Sequence, residues 1–272
     1  MQFSNRTKSL FYKTLLIASI FYIGICAVLF FFQEKFIFFP EKLNKHHRFT
    51  FNQSFEEKFF TTSDNKKLHG ILFKSDSSKG LIYFLHGNAG SLNSWGLVAT
   101  FYTKLHYDVF IADYRGYGKS QGEITSEKQL YEDVQLMYDS LKKIYPENKI
   151  VVSGYSIGTG PATYLAANNH PRLLLLHAPY YNLTKMLRKY YPIIPSFLLK
   201  YKFKTNELIK NCRMPVAIFH GDTDEVIPFT ASLELQNHFK KQDTLIKLSQ
   251  QGHIGIIENP GYALEIEKIL DD

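Results

Sequence analysis

The feature that most constrains the fold is a series of short, mainly apolar segments, each followed by residues of helical pattern. A segment that is apolar along its whole length is typical of a strand buried on both faces of a sheet. The expected strands are 81–85, 109–112, 149–153, 173–176, 216–219 and 244–248. Strands that alternate with helices predict an α/β fold with a mostly parallel central β-sheet and helices on both faces.

Helices are expected near residues 94–105, 126–145, 156–168, 231–239 and 261–270, and two early strands at 57–62 and 67–73. The stretch 180–210 breaks the alternation, because it is aromatic, basic and interrupted by prolines, and it predicts a small cap insertion. Two roles stay open for the cap aromatics, which either line an apolar pocket or serve as ordinary packing. These residues are Tyr180, Tyr181, Tyr190, Tyr191, Phe197, Tyr201 and Phe203.

The amino-terminal part contains 19 consecutive uncharged residues, 14–32. At about 1.5 Å per residue a helix of this length nearly crosses a hydrocarbon core of about 30 Å. A transmembrane helix is favoured over a cleaved signal peptide, since large aromatics stand where a cleavage site needs small residues. The basic residues in 1–13 favour a cytoplasmic amino terminus with the following domain on the far side of the membrane.

The predicted organisation is therefore a basic tail at 1–13, a transmembrane anchor at 14–32, a juxtamembrane connector at 33–54 and an α/β domain at 55–272 that includes the cap at about 180–210. The net charge is +7, but it falls to +4 without residues 1–33. With no arginine-rich run or nucleic-acid motif, no nucleic-acid partner is expected. Cys26 and Cys212 are too few for a metal cluster, so neither a metal nor a cofactor is expected.

The sequence Gly154-Tyr155-Ser156-Ile157-Gly158 fits the pattern G-x-S-x-G between a predicted strand and a predicted helix. This context predicts a sharp turn that exposes the serine oxygen above the sheet. Flanking glycines leave room around the turn, and the helix amino terminus favours developing negative charge. Ser156 is therefore the expected nucleophile.

A serine nucleophile requires a base, and His253 lies between two glycines just after the last predicted strand. The supporting acid is expected between serine and histidine in the chain. Asp224 follows the strand 216–219 on its exit loop and is preferred, while Asp222 is the competing residue, with a turn-stabilising role as its alternative. The loop after strand 173–176 offers no carboxylate.

An acyl-transfer reaction also needs donors for the oxyanion. The backbone amide of Ile157, next to the nucleophile, is one expected donor. The loop after strand 81–85 contains Gly87 and Gly90, which allow close approach of the backbone, and the amide of Asn88 is the second expected donor.

Taken together, these motifs resemble the α/β-hydrolase superfamily over roughly residues 55–272. The apolar anchor followed by 33–40 (QEKFIFFP) is similar to the membrane-anchored α/β-hydrolase-domain and Bem46-like branch. The resemblance implies a triad of Ser156, Asp224 and His253. It also implies a carboxylesterase, an acyl-thioesterase or a lipase, with an ester or thioester of a lipid-like acyl group as substrate and the bilayer as partner.

Two other hypotheses remain. The first is a non-catalytic, membrane-anchored binding protein that retained the fold, since fold alone does not prove function. The second is a haloperoxidase-like or other acyl-transfer reaction on the same residues. The presence of all three triad residue types favours hydrolysis, and the oligomeric state is left open.

Overall fold

The computed structural model describes residues 5–271. Its strands are β1 (Phe39–Pro40), β2 (Phe55–Thr61), β3 (Lys67–Phe73), β4 (Gly80–Leu85), β5 (Ala89–Gly90), β6 (Tyr107–Asp113), β7 (Ile150–Tyr155), β8 (Leu173–His177), β9 (Val216–Gly221) and β10 (Thr244–Leu248). Its α-helices are α1 (Asn5–Phe32), α2 (Glu34–Ile37), α3 (Leu92–Trp95), α4 (Ala99–Lys104), α5 (Glu127–Leu141), α6 (Thr159–Asn168), α7 (Leu183–Tyr190), α8 (Thr205–Leu208), α9 (Thr230–Gln236) and α10 (Pro260–Asp271).

Eight strands form one central sheet in the order β10-β9-β8-β7-β4-β6-β3-β2. The strands from β10 to β6 pair in parallel, whereas β3 is antiparallel to both β6 and β2. Strands β4, β6, β7, β8 and β9 are buried along their whole length, as the apolar runs predict. The predicted mostly parallel sheet is confirmed.

Helices cover both faces of the sheet, and each face has its own apolar core. Side chains of α5, α6 and α9 pack in one core, and those of α4 and α10 pack in the other. In α5 the buried face includes Leu130, Val134, Met137 and Leu141, at the spacing of an amphipathic helix. Ser126 begins this helix by accepting a hydrogen bond from the amide of Gln129.

Helix α1 contains a segment, Lys8–Phe32, that is long and apolar enough to cross a membrane. This segment begins before the predicted boundary at residue 14, because Lys8 and Lys13 are part of the continuous helix α1 and do not interrupt it. Its large apolar side chains are exposed along the helix, unlike those of a core helix of a soluble domain. The segment is therefore a candidate anchor by length, composition and exposure.

The predicted connector, 33–54, is not a detached linker. Phe38 and Phe49 are buried in the two cores, and β1 pairs with β5 immediately after the β4 strand. The division at residue 55 stays a prediction, but the structure packs these connector residues against the same sheet that carries the candidate site.

The cap contains α7, α8 and short 3-10 turns. Six of its seven aromatic residues fall into two groups, while Tyr181 is half-buried. Tyr180, Tyr201 and Phe203 are buried in the core next to α6. Tyr190, Tyr191 and Phe197 are exposed, with Phe197 81% accessible. Neither of the two expected roles, an apolar pocket or ordinary packing, accounts for all the cap aromatics. The exposed ones do neither, because the proline-broken part of the cap turns them outward.

Candidate active site

Ser156 follows β7 directly and has a φ of 52°, in the left-handed region that a non-glycine residue seldom adopts. A 3-10 turn at Ser156–Gly158 leads from it into α6. A Cβ added at Gly158 would lie 2.2 Å from the carbonyl oxygen of Leu85, and one at Gly154 would lie 2.6 Å from that of Gly158. The two glycines are thus required sterically by the turn that presents the serine.

His253 lies between Ser156 and Asp224. Its Nε2 is 3.0 Å from Ser156 Oγ, and its Nδ1 is 2.8 Å from Asp224 Oδ2. An ionised carboxylate can only accept, so Nδ1 carries the proton and Nε2 is left to accept from the serine hydroxyl. The imidazole is nearly buried, whereas Ser156 is partly exposed.

Asp224 is buried and accepts hydrogen bonds with both oxygens. Its Oδ1 receives the amides of Val226 and Ile227 at 2.9 and 2.8 Å. Burial opposes ionisation, but the hydrogen bonds from His220, from His253 and from the amide of Ile227 outweigh it and hold the pKa of Asp224 well below its usual range. The carboxylate is therefore ionised throughout the neutral pH range.

Close contact between the two loops brings the acid and the base together. A Cβ at Gly221 would lie 2.0 Å from the carbonyl oxygen of Gln251, so only glycine allows this approach. The amide of Thr223 donates to the same carbonyl at 3.1 Å. The Gln251 side chain donates to the carbonyl of Ile254 at 2.6 Å and so supports the histidine loop from the other side.

Asp222, the competing carboxylate, lies elsewhere. Its Oδ1 accepts the amide of Gln250 at 2.7 Å, and its Oδ2 is 3.7 Å from the ammonium group of Lys247. The structure therefore gives Asp222 a role in holding the turn after β10, which is the alternative that the sequence left open.

The predicted oxyanion donors border the serine. A Cβ at Gly87 would lie 3.9 Å from the Cβ of Ser156, so the loop after β4 passes directly beside the nucleophile. Within the described residues the amide of Asn88 donates no hydrogen bond, while its carbonyl accepts from the Phe39 amide and from Tyr117. The amide of Ile157 belongs to the turn that begins at Ser156.

Several known hydrolases are similar to this chain in sequence or in structure. A family model described as serine aminopeptidase, S33, matches residues 76–210. Human alpha/beta hydrolase domain-containing protein 17B is 33% identical over 186 residues, which cover 66% of this chain and 62% of the relative. A Pyrococcus furiosus esterase has a TM-score of 0.68 at 21% identity and covers 86% of this chain and 97% of the esterase.

The chain belongs to the α/β-hydrolase superfamily. Mouse alpha/beta hydrolase domain-containing protein 17C is 32% identical over 206 residues, which cover 72% of this α/β hydrolase and 62% of the relative. The chain thus spans less than two thirds of the length of these relatives. The thioesterase domain from the curacin biosynthetic pathway shares the fold, with a TM-score of 0.60 at 14% identity over 80% of this chain and 100% of that domain.

Two supporting residues of this α/β hydrolase were not assigned from the sequence. His220 Nε2 lies 2.8 Å from the carbonyl of Ile227 and 3.2 Å from Asp224 Oδ2, and its Nδ1 lies 2.6 Å from Ser232 Oγ. The Tyr155 hydroxyl donates to the carbonyl of His253 at 2.5 Å. The His220-Gly221 pair before the aspartates was the available signal for His220, whose partners lie within 12 residues of it. The Tyr155 contact joins residues 98 positions apart, and no local pattern indicates it.

Proposed function

We propose that this chain is a membrane-anchored serine hydrolase that cleaves carboxylic ester or thioester bonds through Ser156, His253 and Asp224. The observation that supports this most directly is the pair of His253 contacts, 3.0 Å to Ser156 Oγ and 2.8 Å to Asp224 Oδ2. This geometry fits a serine activated by a base whose orientation is held by an acid.

In the proposed reaction, His253 Nε2 takes the proton of Ser156 as the serine oxygen attacks the acyl carbonyl. The amides of Asn88 and Ile157 stabilise the oxyanion. His253 then passes the proton to the leaving alkoxide or thiolate, and an acyl-enzyme remains. Water, deprotonated by His253, attacks this ester and releases the carboxylic acid, and Ser156 recovers its proton.

Labelling with a fluorophosphonate probe tests this proposal. Wild-type protein is expected to react, and Ser156→Ala and His253→Ala are expected to lose the label. Ser77→Ala is the matched control, because exposed Ser77 also contacts a histidine, His106 Nδ1, at 3.0 Å, but lies outside the site. Absence of labelling in folded wild type, or equal labelling of Ser156→Ala, would favour a non-catalytic binding protein.

The substrate class is inferred from the comparisons and the anchor. Esterase and thioesterase neighbours favour ester or thioester carbonyls, and a candidate membrane helix favours acyl groups of lipid character. A chain-length series of p-nitrophenyl esters and acyl thioesters measures both preferences. A rise in kcat/KM with acyl length is expected, and a preference for acetyl esters would contradict the lipid-like class.

The same proposal includes membrane anchoring through residues 14–32. The amino terminus is then cytoplasmic, and the domain lies on the far side of the membrane. This arrangement is supported by the uncharged segment and by Arg6, Lys8 and Lys13 before it. Carbonate extraction of membranes tests the anchor, and protease protection of sealed vesicles tests the orientation. Release of the intact chain by carbonate would contradict the anchor.

A further inference from the structure

The outer part of the cap presents large apolar side chains away from the hydrolase core. Between α7 and α8, Tyr191, Ile193 and Phe197 are 63%, 74% and 81% exposed. Soluble domains seldom cluster such exposed apolar residues without a partner. We refer to residues 191–198 as the outer cap loop.

The outer cap loop runs along helix α1. The Tyr22 hydroxyl donates to the carbonyl of Ile193 at 2.6 Å, and Gln33 Nε2 donates to the carbonyl of Leu198 at 3.2 Å. Tyr22 and Gln33 are separated by roughly 16 Å along a helix, at 1.5 Å per residue. The loop therefore extends from the end of α1 back toward the middle of the candidate membrane span.

The backbone of the outer cap loop is partly paired inside the protein. Pro192 and Pro195 carry no N–H group, so two donors are absent. The amides of Tyr191, Ile194 and Leu198 donate within the cap, and the carbonyls of Ile193 and Leu198 receive the bonds from Tyr22 and Gln33. Within the described residues the amides of Ile193, Ser196 and Phe197 donate no hydrogen bond. The loop therefore suits the boundary between headgroups and acyl chains, which water still reaches, better than the dry centre of the bilayer.

Basic and aromatic residues border the loop where it returns to the domain. Lys200 lies 5.0 Å from the centre of the Phe30 ring and 3.2 Å from Glu34, and Arg188 bonds to Ser196. Cationic side chains beside aromatic rings are typical of the membrane–water interface. This border coincides with the end of α1, so the helix and the loop share one interface.

We propose that the outer cap loop inserts into the bilayer leaflet next to α1, with the acyl chains of membrane lipids as its partner. Continuity with α1 identifies the partner as lipid instead of a second protein, because the loop and the uncharged segment 14–32 of the helix form one apolar surface. This inference rests on the proposed membrane anchoring. It adds a second membrane contact, formed by the cap itself.

Insertion of the loop would bring the mouth of the candidate site to the membrane. Tyr190 immediately precedes the loop, and its hydroxyl donates to the carbonyl of Val226 at 2.9 Å, while the Val226 amide donates to Asp224. Exposed Ile254, 85% accessible, adjoins His253 in the chain. An acyl substrate would then enter the site from the leaflet, without leaving lipid.

Fluorescence quenching by nitroxide-labelled phosphatidylcholine tests the insertion. The full chain, with Cys26→Ala, is reconstituted in vesicles and labelled with a fluorophore at Phe197→Cys, and in a second variant at Ile193→Cys. Ile23→Cys reports the anchor, and Leu264→Cys, 66% exposed on α10, is the matched control. Buried Cys212 stays unlabelled.

The loop and anchor labels are expected to be quenched severalfold more than the Leu264→Cys label. Quenching at Ile23→Cys without quenching at either loop position would overturn the loop insertion and leave the anchor intact. Absence of quenching at all positions would contradict the anchor itself. Equal quenching at Leu264→Cys and in the loop would show general contact with vesicles and also overturn the inference.

Discussion

At the scale of single residues, position in the fold separates the two aspartates that compete for the role of the supporting acid. Asp224 and Asp222 follow the same strand and lie two residues apart. Only Asp224 faces His253 and His220, whereas Asp222 binds an amide of the turn after β10. A carboxylate supports catalysis only where it contacts the imidazole. Asp224 is therefore proposed as the supporting acid, and Asp222 as a residue that stabilises the turn.

We expect Asp224→Asn to lower kcat by on the order of 10³ to 10⁴, because the amide no longer fixes the imidazole tautomer or stabilises the imidazolium. Asp222→Asn, the matched control, should change kcat severalfold at most. Steady-state hydrolysis of a soluble ester measures both variants. If the two substitutions reduced kcat equally, the assignment of Asp224 as the acid would be wrong.

Gly158→Ala is expected to destabilise the protein by about 1–3 kcal/mol through overpacking. The added methyl would overlap the carbonyl oxygen of Leu85, at 2.2 Å, and this backbone cannot move without shifting β4. Gly24→Ala is the control, since nothing lies within 4 Å of the added carbon. Thermal unfolding in detergent compares them, and an unchanged midpoint for Gly158→Ala would contradict the steric constraint on the serine turn.

At the scale of elements, the connector and the oxyanion loop form one unit. The amide of Phe39 donates to the carbonyl of Asn88, and the amide of Glu41 to that of Gly90. Glu41 also accepts the hydroxyl of Ser91 at 2.6 Å, at the start of α3. The residues that follow the candidate anchor therefore hold the backbone whose amide is proposed to bind the oxyanion.

Asn88→Ala separates the role of the backbone from that of the side chain. The variant keeps the proposed amide donor and loses only the 3.3 Å bond from Asn88 Nδ2 to the carbonyl of Ile37. We expect kcat to fall less than about tenfold, as for loss of one ordinary hydrogen bond. A fall of roughly 10² to 10³, typical of a lost oxyanion donor, would show that the side chain acts directly.

At the scale of the whole molecule, the candidate anchor α1, the cap and the α/β-hydrolase domain are joined by specific hydrogen bonds. Gln33 connects the end of α1 to Leu198 and to the amide of Lys200, and Glu34 contacts Lys200 and Tyr201. The position of the domain relative to α1 is thus set by the cap. A chain with these contacts holds its candidate site in a defined orientation toward the helix.

We expect Ile193→Gln/Phe197→Gln to lower the ratio of activity on a vesicle-embedded ester to activity on a soluble ester, because polar side chains weaken insertion of the loop. Leu97→Gln/Leu264→Gln is the matched control, since both leucines are 66% exposed on the domain. Parallel assays with the two substrates provide the ratio. Equal ratios for the two double variants would indicate that the loop does not direct access to lipid substrates.

Much of the architecture was predictable because it depends on local patterns. Continuous apolar runs identified the buried strands, and their alternation with helices identified a parallel sheet. Ser156 was predictable because its glycines reflect a steric need of one turn, although its catalytic role stays a prediction.

The sequence by itself thus determined the fold class, the strand and helix segments and the serine turn, since each follows from periodicity or from neighbours in the chain. Only the tertiary structure decided which aspartate contacts His253, that Phe38 and Phe49 pack in the cores, and that the outer cap loop follows α1. These features join segments far apart in the chain, and no local pattern records which distant surfaces will pack together.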